Sequence, residues 1–90
     1  MSPPTTSLQK EFLRKITRTL YRYAKDRGRT VIDKGGIFIH HDDAHLVVNH
    51  GDLTVCYVQN GRAEWAANQV INACMAEIDR IFILDDLADL

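Results

Sequence analysis

The chain has 90 residues, with 11 Lys and Arg against 12 Asp and Glu and a net charge of −1, and it is 46 % hydrophobic and 26 % charged. That length carries one domain over residues 1–90, and the composition excludes a disordered chain, a collagen-like repeat and a disulfide-rich miniprotein. Taken as a total, the charge also argues against a uniformly basic coat for nucleic acid.

Pro3 and Pro4 hold residues 1–5 extended, and Thr6 with Gln9 three positions later reads as a capping box that starts a helix. Leu8, Phe12, Ile16 and Leu20 recur every four residues, joined by Leu13, Tyr23 and Ala24. This is the apolar stripe of an amphipathic helix of about twenty residues, ended by Gly28. From Thr30 the pattern becomes β-branched. Ile37–Ile39, His45–His50 and Leu53–Val58 read as three strands of an antiparallel meander, with turns at Asp33–Gly36, His41–Ala44 and Gly51–Asp52. Thr30–Ile32 adds a short edge piece, and Asn60–Gly61 closes the last run.

A second helix is expected from Arg62 to Phe82, carrying Trp65, Ala67, Val70, Ile71, Cys74, Met75, Ile78, Ile81 and Phe82 at helical spacing. Periodicity leaves open whether Ile81–Leu84 is helix or strand, and residues 85–90 form an acidic tail. The expected fold is therefore α+β, a two-layer α-β-β-β-α sandwich with both helices on one face of the sheet. That layout resembles double-stranded-RNA-binding domains. In that family a Lys-rich start to the second helix grips phosphates, whereas Arg62–Asn68 here has one base and one acid. The resemblance is one of topology.

The net charge conceals a split. Residues 1–34 hold nine bases and three acids, and residues 35–90 hold two bases and nine acids. Lys10, Arg14, Arg18 and Arg22 stand four apart, in one row of the first helix, and Lys15 and Lys25 broaden that face. Guanidinium groups in such a row suit carboxylate or phosphate oxygens. An acidic protein partner, nucleic acid, and a plain solvated face paired with the protein's own acidic tail all fit this row. A membrane surface does not, because the apolar side of the helix serves the core.

The second helix has the opposite character, with no charge between Glu64 and Glu77. Its outer side shows Asn68, Gln69, Asn72, Ala73 and Ala76, and depletion of charge marks the core of an interface. Helices of about twenty residues, spanning roughly 30 Å, would also overhang strands of roughly 20 Å. Both features point to a homodimer through helix 62–82, which would enlarge a thin core.

All four histidines, His40, His41, His45 and His50, fall in one hairpin with Asp42 and Asp43. Such donors suit Zn²⁺, but the spacing matches no metal signature, so exposed turn residues are the favoured reading. A metal-dependent enzyme and a pH-sensitive surface are the alternatives to it. Gly35–Gly36 lacks the Lys-Ser/Thr of a phosphate loop, and a small three-stranded sheet leaves little room for a pocket of ~300 Å³. No catalytic residue, cofactor or metal is assigned.

Cys56 and Cys74 sit in apolar segments and read as free thiols, with one strand–helix disulfide as the alternative, and the start of the chain lacks a secretory signal, so the expected location is the cytoplasm. The function that follows is a small non-enzymatic binding or regulatory protein. It is expected to be a homodimer that offers the basic face of its first helix to an acidic macromolecule, with nucleic acid as the alternative.

Overall fold

The computed structural model describes residues 6–23 and 28–83, the side chain of Ile83 excepted. Helix α1 (Ser7–Tyr23) leads into strands β1 (Arg29–Lys34), β2 (Ile37–Asp42), β3 (His45–His50), β4 (Leu53–Gln59) and β5 (Arg62–Trp65). Helix α2 (Asn68–Ile78) follows and continues into a π-helical turn, Asp79–Ile83. The five strands form one antiparallel sheet in the order β1-β2-β3-β4-β5. Each strand pairs with its neighbour in the chain.

Helix α1 starts where the capping box places it. Thr6 N–H donates to Gln9 Oε1 at 3.0 Å, and Gln9 N–H donates to Thr6 Oγ1 at 3.1 Å. Phe12 and Ile16 are buried, with Leu8, Leu20 and Tyr23 packed against the core they belong to. Thr19 is also buried, its hydroxyl satisfied by the Lys15 carbonyl at 2.9 Å. Ala24 lies outside the described residues, as do residues 1–5, the acidic tail and Leu84.

The core lies between the helices and one face of the sheet. Ile32, Ile37, Ile39, Val48 and Cys56 meet Ile71, Cys74, Met75, Ile78 and Phe82 there, and the Phe12 and Trp65 rings pack edge to face. A register shift in β3–β4 pairs Val48 with Cys56 and Asn49 with Thr54, skipping Val55. The bulge lets consecutive Val55 and Cys56 both turn inward. The Val55 carbonyl then accepts Ala66 N–H at 3.0 Å, which fixes the exit from β5.

Three sequence expectations are corrected. The sheet has five strands rather than three: Thr30–Ile32 belongs to a full strand, and Arg62–Trp65 is a strand instead of the start of the second helix. Asn60 and Gly61 have φ of 50° and 80°, so they turn the chain back in a two-residue hairpin joining Gln59 to Arg62. Helix α2 is correspondingly short. Its eleven residues span roughly 16 Å, less than a strand of six, before the π-turn extends it. Ile81 and Phe82 are helical and buried, in the π-turn. Five strands also end the shared layout with double-stranded-RNA-binding domains.

Candidate functional site

Core residues Phe12 and Ile16 define the inner side of α1, and the row Lys10, Arg14, Arg18 and Arg22 is exposed on its outer side. Lys10, Arg14 and Arg18 make no ion pair among the described residues. Lys15 departs from that row. Its side chain is half-buried and its ammonium lies 2.7 Å from Asp79 Oδ1 on the π-turn. Lys25 lies outside the described residues. Lys34, another base of the N-terminal half, sits 5.8 Å from the Phe82 ring centre and 6.0 Å from that of Tyr23.

Tyr21 was missed by sequence reasoning, which followed only the apolar stripe and the row of bases. It stands three residues after Arg18 and seven after Arg14, a spacing that places it on the same outer side, and it is 88 % exposed. A large aromatic at helical spacing from a basic row was a readable signal. Tyr and Arg together are the residue types enriched at interfaces.

The outer side of α2 is as the sequence placed it: Asn68, Gln69, Asn72, Ala73 and Ala76 are exposed, while Ile71, Cys74, Met75 and Ile78 are buried. Glu77 pairs with Arg80, whose guanidinium holds its carboxyl below the ordinary value.

The sheet face away from the helices carries the histidine cluster. Register aligns Val31, His40, Val47, Tyr57 and Glu64 across the five strands of this face. His40, Asp42 and His45 gather at its β2–β3 end, whereas His41 projects to the other face beside Leu46, and His50 pairs with Ile37 at the far end of the strands. Asp42 Oδ1 accepts the Ala44 N–H at 2.9 Å, an Asx turn that shapes the hairpin. That bond is the main cause that holds the Asp42 carboxyl below its ordinary value, against a smaller opposing effect of burial. Asp42 Oδ2 faces His40 Nε2 at 3.6 Å and His45 Nδ1 at 3.8 Å. The His40 and His45 ring centres are 5.9 Å apart.

The far nitrogen of His45 is also engaged. Tyr57 donates its hydroxyl proton to Gln59 Oε1 at 2.7 Å and lies 3.3 Å from His45 Nε2. With the Tyr57 proton so directed, the contact is satisfied when His45 Nε2 carries the hydrogen, which leaves Nδ1 as a lone pair toward Asp42. His40 Nε2 is buried and has no hydrogen-bond partner.

Asp42 and His45, with Leu13, Leu46, Val58 and Asn60, border an open hollow of about 440 Å³ at this end of the sheet. A hollow of this size exceeds what a three-stranded sheet was expected to leave, and the Asn60–Gly61 turn that leads into β5 supplies part of its wall. Cys56 and Cys74 are free and buried, and burial pushes both thiols up to about 12. Among the described residues no helix is long and apolar enough to cross a membrane. No known family model, curated protein or solved structure matches this chain.

Proposed function

We propose that this chain is a small non-enzymatic binding protein that meets an acidic macromolecule with the outer face of α1. Lys10, Arg14, Arg18 and Arg22 supply charge-assisted contacts, and Tyr21 supplies apolar area among them. The observation that carries the reading is Tyr21, 88 % exposed in the same outer surface as three bases that make no ion pair among the described residues. A solvated face gains nothing from an exposed aromatic, whereas an interface does. The second element of the reading is a homodimer through the uncharged outer side of α2, where Ala73 and Ala76 allow close approach. Depletion of charge on that side supports the dimer.

Affinity capture with the parent chain and with Arg14→Glu/Arg18→Glu tests the binding face. Loss of a species from the variant, and its loss again from Tyr21→Ala, supports the reading; equal capture by all three chains overturns it. Anisotropy with labelled DNA and RNA at low and moderate salt assigns the partner's class, since phosphate contacts weaken steeply with salt. Sedimentation tests the dimer: the expected species has twice the 10.3 kDa mass of one chain, and a monomer at high concentration refutes it.

A further inference from the structure

We infer that His40 Nε2, the Asp42 carboxylate and His45 Nδ1 form a binding site for one divalent transition ion of the Zn²⁺ class. The three residues each offer a ligating atom, and these atoms lie within 4.8 Å of one another. The two nitrogens stand 3.6 and 3.8 Å from Asp42 Oδ2, too long for hydrogen bonds. Ligands of a tetrahedral Zn²⁺, at metal distances of about 2.0–2.1 Å, stand ~3.3 Å apart. A few tenths of an ångström of closure brings each nitrogen to that spacing from the carboxylate, and the two nitrogens, within 4.8 Å of each other, must draw together as the ion enters.

Two further observations point to a cation. His40 Nε2 is buried, has no hydrogen-bond partner among the described residues and faces the carboxylate. His45 is held through Nε2 by Tyr57, itself held by Gln59, so that its Nδ1 lone pair faces the same oxygen. An imidazole whose second nitrogen is fixed by a hydrogen bond is the usual arrangement around a metal-bound histidine. Two imidazoles and one carboxylate favour Zn²⁺, Co²⁺ or Fe²⁺ over Ca²⁺ and Mg²⁺, which take mostly oxygen donors. The side chains of His45 and Asp42 are 31 % and 32 % exposed, which leaves the remaining coordination positions to solvent. This site lies on the sheet face away from α1's basic row and stands independently of the binding reading above.

Chelator-stripped protein is titrated calorimetrically with Zn²⁺, and separately with Co²⁺ while its visible absorption is followed. One equivalent of each is expected, with a Co²⁺ spectrum of nitrogen and oxygen ligation. His40→Ala, His45→Ala and the near-isosteric Asp42→Asn should each weaken binding more than about tenfold, and Tyr57→Phe by about tenfold. His41→Ala and His50→Ala, outside the cluster, should bind as the parent does. Circular dichroism checks that each variant is folded, and Asp42→Asn decides the matter if a histidine variant is not. Absence of saturable binding overturns the site, as does binding that survives Asp42→Asn and His45→Ala or is lost equally in His50→Ala.

Discussion

The Lys15 ammonium reaches 2.7 Å to Asp79 Oδ1 across 64 residues of sequence, joining the middle of α1 to the first residue of the π-turn. The same two elements meet again where the Tyr23 hydroxyl donates to the Phe82 carbonyl at 3.0 Å and the two rings pack edge to face. The base that looked in sequence like part of an outward-facing row is a clasp between the first and last described elements.

Replacing either partner of that clasp should lower stability modestly. The side chains are part-exposed, so a coupling of about 0.5–1 kcal/mol is expected from a double-mutant cycle of Lys15→Met and Asp79→Asn in urea. High salt should shrink it. A coupling near zero would show that the pair holds geometry without contributing stability.

Gly35 and Gly36 form the β1–β2 turn with φ of 61° and 84°, yet they should respond differently to alanine. A Cβ on Gly36 meets nothing within 4 Å, so Gly36→Ala costs only the left-handed backbone, about 1–2 kcal/mol. A Cβ on Gly35 would collide with Ile81 Cδ1, which adds a steric cost. Urea denaturation should therefore rank Gly35→Ala as the more damaging of the two. Ile81→Val, which removes Cδ1, should restore part of the loss; equal costs for both alanines would contradict the close approach.

The two thiols give an alkaline signature. Burial raises Cys56 and Cys74 in the folded chain from 9.0 to about 12, so above pH 9 the unfolded chain sheds protons that the folded chain keeps. Their contribution to stability is therefore full below pH 9 and declines as pH rises from there toward 12. Both thiols should also resist a disulfide reagent at pH 8 until urea unfolds the chain. Rapid labelling of the native protein would count against their burial.

The α1 boundary was readable because its signals are local. Thr6 and Gln9 reach each other within one turn, and the stripe through Phe12 and Ile16 has a single period. β5 was harder, since only four residues, Arg62–Trp65, form it and Trp65 was read as the first apolar residue of the helix that follows. The Asn60–Gly61 pair was the available clue: it reads equally as an end or as a reversal, and only pairing with β4 decides. At the histidine hairpin, residue types and proximity were legible in sequence. That Asp42 rather than Asp43 faces both rings follows from register, and Tyr57 enters from a strand twelve residues away.

The neighbour-to-neighbour sheet also bears on how the chain folds. Short hairpins close small loops, so the strands carry a low entropic barrier and can zip in sequence order. The contacts of α1 with Asp79 and Phe82 span 64 and 59 residues and close far larger loops than the hairpins do. Docking of α1 is thus the natural last event, a seal formed after the rate-limiting step. In stopped-flow kinetics Lys15→Met should speed unfolding and leave refolding nearly unchanged, whereas a matching slowdown of refolding would place the seal at the start.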